Sequence, residues 1–103
     1  MKVYYLDNSG FAMISEDVLL IFDYWRFPKE SETATFESGF VDASKLSDFA
    51  RVYIFVSHKH GDHFNKKIYE LAQYNAHTKY IVEADVPLPE DLDGVKLAVG
   101  QQY

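Results

Sequence analysis

Two uninterrupted apolar segments, residues 18–22 and 52–56, constrain the fold of this chain more than any other feature of its sequence. Each contains five consecutive apolar residues in which β-branched and aromatic side chains are frequent. Both are far shorter than the ~20 residues that a membrane span requires, and their composition predicts β-strands. Because residues 18–22 show no alternation of apolar and polar positions, we expect this strand to be buried on both faces of a sheet.

The rest of the chain divides into short strands, two helices and polar loops. Further strands are predicted for residues 2–6, 11–14, 79–82 and 95–99. Helices are predicted for residues 42–49 and for the segment that follows Asn65, which can cap it and in which Ile68, Leu71 and Ala72 share a face. Residues 27–39 and 85–94 predict loops. This order predicts a mixed α/β (α+β) fold in a single domain over residues 1–103.

Charge and composition exclude several classes of function. Sixteen acidic residues against ten Lys and Arg give a formal charge of -6, which repels phosphate backbones, so we expect no nucleic-acid partner. We also expect no membrane association, because no apolar run is long enough. The chain has no cysteine and its first residues do not resemble a signal peptide, so we expect a cytoplasmic location.

Three of the four histidines lie within six residues, directly after the strand at residues 52–56. In extended chain, alternate side chains point the same way, so His58 and His60 can bind one metal ion. Gly61 allows the backbone to turn, after which Asp62 and His63 can bind a second ion nearby. Imidazole and carboxylate ligands favour zinc, with iron or manganese as alternatives. The opposing interpretation is a polar turn with solvated histidines.

The pattern His58-x-His60-x-Asp62-His63 resembles the signature of the metallo-β-lactamase superfamily. A second similarity is Asp23 at the end of the strand at residues 18–22, where that family carries an orienting aspartate. The stretch at residues 8–11 resembles the lactonase-like, metal-dependent hydrolase branch, although that branch often has His where this chain has Asn8. The resemblance implies the N-terminal αβ half of a four-layer αββα sandwich, a mixed sheet with helices on one face.

The resemblance also implies roles for individual residues. His58 and His60 would bind the first metal, and Asp62 and His63 the second. Asp62 would also be catalytic, because it would orient or deprotonate the attacking water. Asp23 would hold the ligands in place without binding the metal itself. Members of the family with activity hydrolyse an ester, lactone, amide or phosphodiester of a small molecule through a metal-bound hydroxide.

The chain departs from the family after His63, because the later histidines and the bridging acid of the pattern are missing. The only later histidine, His77, is expected at a helix end or on the surface. Each metal would have about two protein ligands, whereas a catalytic zinc normally has three. We therefore expect the N-terminal portion of a metallo-hydrolase that is inactive alone. The alternatives are a non-catalytic metal-binding or dimerising module and a structural relic that binds nothing.

A half sandwich would leave one face of its sheet uncovered. Such a face would be an apolar patch of a size that soluble monomers rarely expose. We therefore expect the face to be covered by a C-terminal half or by a second copy of the chain, in a homodimer or a larger homo-oligomer.

Overall fold

A computed structural model describes residues 1–6, 10–29, 32–58 and 64–98. Its centre is one six-stranded sheet in which the strands follow each other in sequence order. The strands are β1 (Lys2–Tyr5), β2 (Phe11–Ser15), β3 (Val18–Phe22), β4 (Arg51–Val56), β5 (Thr78–Glu83) and β6 (Gly94–Leu97).

The sheet is mixed, which confirms the predicted mixed fold class. β1, β2 and β3 form an antiparallel meander, and β3, β4, β5 and β6 are parallel to one another. The turn between β2 and β3 places Glu16 at φ 55°, in the left-handed region. As a result of this topology, the carboxyl ends of the four parallel strands lie along one edge of the sheet, and the residues following them are brought together there.

Helical segments cover one face of the sheet. Three 3-10 helices are found in the described ranges, namely η1 (Phe36–Ser38), η2 (Ala43–Asp48) and η3 (Lys66–Tyr74). Leu46 of η2 and Ile68 and Leu71 of η3 are buried against Leu19 and Ile54 of the sheet. We call this side the covered face. In the described ranges, no helix is long and apolar enough to cross a membrane.

Directional contacts hold the helices on the covered face. The Tyr80 hydroxyl on β5 donates to the carbonyl oxygen of Ile68 at 2.6 Å. The Asn75 side chain donates to the carbonyl oxygens of Leu46 and Phe49 at 2.7 and 2.8 Å, which links the end of η3 to the end of η2. Gly94 pairs with Tyr80, and a Cβ there would lie 2.7 Å from the Tyr80 carbonyl oxygen, so only glycine fits without a shift.

The other side of the sheet, which we call the open face, consists of the alternate residues of the same strands. Register across the sheet defines two rows of its side chains. The first row crosses all six strands and contains Tyr5, Phe11, Phe22, Phe55, Ile81 and Val95. The second row contains Val3, Met13, Leu20, Tyr53 and Lys79. None of these residues belongs to the core cluster on the covered face.

The structure corrects three details of the sequence-based predictions. The strand at residues 18–22 is buried on one face only: Leu19 and Ile21 are inaccessible, whereas Leu20 remains partly exposed. Both predicted helices form, but as 3-10 helices, and the predicted loop at residues 27–39 contains the short η1, which Thr35 caps. The last strand is Gly94–Leu97, and Val99 lies outside the described residues.

Candidate metal site at the strand ends

Asp23, directly after β3, adopts a backbone conformation that is uncommon for a residue with a side chain. Its φ is 49°, in the left-handed region that Asp tolerates better than most residues. Its N–H donates to the carbonyl oxygen of Phe55 on β4 at 2.9 Å. This conformation ends β3 and holds Asp23 against the carboxyl end of the neighbouring strand, and such strain is commonly found at functional sites.

The Asp23 carboxylate accepts two hydrogen bonds from Ser57, the first residue after β4. The Ser57 backbone N–H donates to Oδ1 at 2.7 Å, and its hydroxyl donates to Oδ2 at 2.7 Å. Hydrogen bonds to a charged acceptor are short and strong. The two bonds join residues 34 positions apart in sequence and fix the start of the segment that carries the histidines.

His58 continues this chain of hydrogen bonds. Its Nδ1 lies 2.8 Å from the Ser57 hydroxyl oxygen. Since Ser57 has one hydroxyl proton, which it donates to Asp23, the His58 Nδ1–H must be the donor to Ser57. In the neutral ring this tautomer places the lone pair on Nε2, which is the form that a metal ligand needs.

A second anchor lies at the other end of the histidine segment. The Asn65 amide donates to the carbonyl oxygen of Trp25 at 2.8 Å, and its Oδ1 accepts from the Lys67 N–H at 3.0 Å. Asn65 therefore caps η3, as predicted, and also ties the start of η3 to the loop that follows Asp23. The segment between Ser57 and Asn65 is thus attached at both ends to residues 23–25.

Tyr24 fixes the position of residues 23–25. Its side chain is buried, and its hydroxyl accepts a hydrogen bond from the Val41 N–H at 3.1 Å. Burial raises the pKa of Tyr24 to about 12. The phenol therefore remains protonated at neutral pH, and its function at this edge is structural.

The predicted site residues fall in two groups. Asp23 and His58 are brought together through Ser57. His60, Asp62 and His63 lie outside the described residues, as does Asn8. Within the ranges that the structure describes, no three His, Asp or Glu side chains cluster as a metal site would require. His77 lies at the amino end of β5, at the opposite edge of the sheet from His58, and is exposed.

Sequence reasoning missed the role of Ser57 and recognised only one of the two roles of Asn65. A signal for Ser57 was present: residues that follow neighbouring parallel strands meet at one edge, and a hydroxyl next to a carboxylate is a natural hydrogen-bond partner. Asn65 was predicted as a cap, but no local pattern indicates its second bond to Trp25, 40 positions earlier.

An apolar groove adjoins the Asp23–Ser57 pair. It has a volume of about 360 Å³ and runs along the carboxyl ends of the parallel strands. Its walls include Phe22, Phe55 and Leu97, and its polar rim includes Glu83. A larger hollow of about 510 Å³ lies where β1 begins and β2 ends, and neither Asp23 nor His58 lines it. The smaller groove therefore borders the Asp23–Ser57 pair, whereas the larger hollow does not.

Comparison with known proteins provides no further identification. The chain matches no protein-family model, no curated protein and no solved structure. The resemblance to the metallo-β-lactamase superfamily thus depends on the residues of the histidine motif and on Asp23.

Proposed function

We propose that this chain binds a divalent metal ion at the carboxyl ends of β3 and β4, and that the site belongs to a metal-dependent hydrolase. The observation that carries the proposal is the hydrogen-bonded chain from Asp23 through Ser57 to His58. Histidines that bind metals almost always donate their second ring N–H to a carboxylate, carbonyl or water, which fixes the tautomer and the ring orientation. His58 is oriented in this way, with a serine hydroxyl between the ring and the carboxylate.

The donors near this edge fit zinc better than the hard cations. His58 offers an imidazole nitrogen, and His60, Asp62 and His63 follow within five residues. Imidazoles with one carboxylate favour zinc, with iron and manganese as alternatives, whereas magnesium and calcium prefer oxygen donors alone. We assign metal binding to these four residues, His58 and His60 to one ion and Asp62 and His63 to a second, and the positioning of His58 to Ser57 and Asp23.

A bound metal ion supplies two properties to a hydrolase: it lowers the pKa of a water molecule and stabilises negative charge on oxygen. The residues of this chain supply the surroundings. The hydrogen bond to Ser57 orients the His58 ring, and the neighbouring groove gives an apolar part of a small-molecule substrate a place to pack. Asp62 is the candidate for orienting the water. The remaining ligands would come from outside this chain, so we expect no hydrolysis by the 103-residue chain alone.

The second candidate is a metal-binding or dimerising module without catalytic activity. The open face favours it, because an apolar surface that spans six strands is suited to association. Supplying a separately expressed C-terminal half of a metal-dependent hydrolase would separate the candidates. Zinc-dependent ester or lactone hydrolysis in the mixture supports the hydrolase, whereas binding without turnover supports the module.

Metal content tests the assignment of the ligands. In equilibrium dialysis against zinc, the purified chain should bind at least about one equivalent, and His60→Ala should bind clearly less. His77→Ala is the matched control, since it removes the one histidine outside the motif. Equal zinc binding in the wild type and His60→Ala, or less than about a tenth of an equivalent in the wild type, would contradict the proposal.

Ser57→Ala tests the positioning of His58 separately from ligation. It retains all four proposed ligands and removes the hydroxyl that connects His58 to Asp23. Zinc affinity should fall by about 10- to 100-fold, as is typical when the hydrogen-bond partner of a ligand is lost. Ser47→Ala, on an exposed position of η2, is the control. An unchanged affinity in a folded Ser57→Ala variant would show that the serine does not position His58.

A further inference from the structure

The groove beside the Asp23–Ser57 pair is lined mainly by aromatic and aliphatic side chains near the carboxyl ends of the parallel strands. The rings of Phe22 and Phe55 stack with centroids 4.6 Å apart and planes 11° apart, and they form one continuous part of the lining. Leu97 lines the groove from β6. Its volume of about 360 Å³ is at the lower end of the range of about 300–1,000 Å³ that is typical of sites for small organic ligands. The groove therefore suits one small molecule with an apolar body.

The charged side chains of this groove are acidic. Asp23 and Glu83 line it, whereas no Lys, Arg or His does so among the residues that the structure describes. Carboxylates in partly apolar surroundings attract a cation and repel an anion, because charges are screened less there than in open water. The rings of Phe22 and Phe55 act in the same sense, since the face of an aromatic ring attracts cations. The groove is thus poorly suited to a fatty acid or to another apolar anion.

The two carboxylates differ in what they can offer to a ligand. Both oxygens of Asp23 accept hydrogen bonds from Ser57. Glu83 is the last residue of β5, and its Oε2 accepts a hydrogen bond from the Asp85 N–H at 2.8 Å. This bond within the turn orients the half-buried carboxylate and leaves Oε1 without a partner among the described residues. Glu83 is therefore the residue at which the groove can recognise a positively charged group.

We propose that the groove binds a small apolar molecule that carries a protonated amine. The ammonium group donates to Glu83 Oε1, and the apolar part packs against the stacked rings of Phe22 and Phe55. The inference rests on the proposed function in one respect, because it makes such an amine the substrate class of the hydrolase. The recognition itself depends on apolar burial and one charge pair, and it requires no metal ion. An apolar amine is thus favoured over the corresponding alcohol, and the alcohol over the corresponding carboxylate.

Three ligands with the same alkyl chain test the charge preference. Octylammonium, octanol and octanoate are titrated separately into the ¹⁵N-labelled chain near neutral pH with EDTA present, and the shifts of the amide resonances give each Kd. Octylammonium should bind about 10-fold more tightly than octanoate, with octanol between them, because a partly exposed carboxylate attracts one head group and repels the other. The resonances that shift should include those of Phe55, Ser57 and Leu97, which line the groove.

Substitutions separate the charge of the groove from its apolar lining. Glu83→Gln removes the charge and keeps an oxygen that can accept the Asp85 N–H, so it should bring octylammonium and octanoate to within about 3-fold of each other. Glu70→Gln, at an exposed position of η3 on the other side of the sheet, is the matched control and should keep the full preference. Leu97→Ala should weaken all three ligands by a similar factor of about 5, because it removes apolar surface and no charge.

The dispersion of the amide resonances establishes that each variant is folded. Equal affinity for the three ligands, tighter binding of octanoate or no binding at all would overturn the proposal, as would an ammonium preference that Glu83→Gln leaves unchanged. Because EDTA removes metal from these titrations, their outcome is distinguishable from failure of the metal site. A chain that binds zinc and shows no ammonium preference would exclude this substrate class alone, whereas an ammonium preference without zinc binding would support the groove and contradict the hydrolase.

Discussion

The two faces of the sheet differ in the kind of interaction that their side chains make. On the covered face, polar groups among the apolar side chains have specific partners, such as the Tyr80 hydroxyl with Ile68 and the Asn75 amide with Leu46. The open face has a full row of apolar side chains across six strands, with charges only towards the strand ends. The comparison indicates that directional bonds fix the helices on the covered face, whereas the contacts along the open face are mainly apolar and non-directional.

Neighbouring residues of β3 provide the largest contrast. Ile21 is fully buried on the covered face, and Leu20 is partly exposed on the open face. Ile21→Ala should reduce the free energy of unfolding by about 2–5 kcal/mol, through lost burial and a residual cavity. Leu20→Ala should cost about 1 kcal/mol in the dilute monomer, because less apolar surface is lost from contact. Urea denaturation at low protein concentration measures both, and equal losses would contradict the distinction between the faces.

High pH should act through the buried phenols of the covered side. Burial raises the pKa of Tyr24 to about 12 from an ordinary value of 10.0. The unfolded chain then loses this proton before the folded chain does, so the stabilisation is present below pH 10 and is lost as pH rises from 10 to 12. A shift of this size corresponds to about 3 kcal/mol.

Tyr24→Phe isolates this contribution, because it removes the titrating group and retains the ring. Its stability should fall less steeply between pH 10 and 12 than that of the wild type. Denaturation at pH 7 measures the loss of the Val41 hydrogen bond alone, about 1 kcal/mol. Identical alkaline profiles for the two proteins would mean that Tyr24 is not the group responsible.

The Asn75 side chain also makes directional hydrogen bonds on the covered face, and we expect its removal to have a smaller effect on the free energy of unfolding. Asn75→Ala leaves the carbonyl oxygens of Leu46 and Phe49 without their donor, where the structure is closed to solvent. We expect a loss of about 2 kcal/mol in the free energy of unfolding. Gln73→Ala, at an exposed position of the same helix, should change it by less than about 0.5 kcal/mol. A similar loss in both variants would remove the argument for a specific link between η2 and η3.

The strands could be predicted from sequence because their signals are local. Residues 18–22 and 52–56 are short apolar runs of strand formers, and both form strands at or within one residue of the predicted bounds. The burial of residues 18–22 could not be predicted, because an unbroken apolar run occurs both in a strand covered on two sides and in one that exposes half of its side chains. The 3-10 geometry of η2 and η3 likewise could not be predicted, because the same capping residues and apolar spacing also fit an α-helix.

The candidate site was predictable in part for the same reason. Asp23 and His58 follow strands that are easily recognised, so their location at a shared edge follows from the order of the strands. Their connection through Ser57 depends on the left-handed conformation of Asp23, which depends in turn on pairing with β4. His60, Asp62 and His63 remain predictions from the motif.

The protonation and zinc response of His58 test the central claim most directly. In long-range ¹H–¹⁵N spectra of the metal-free chain near neutral pH, the neutral His58 ring should carry its proton on Nδ1, and added zinc should shift the Nε2 resonance while Nδ1 remains protonated. Ser57→Ala should weaken this preference for the Nδ1–H tautomer. A wild-type His58 protonated on Nε2 alone, or a His58 spectrum that zinc leaves unchanged, would contradict the assignment of His58 as a metal ligand oriented by Ser57 and Asp23.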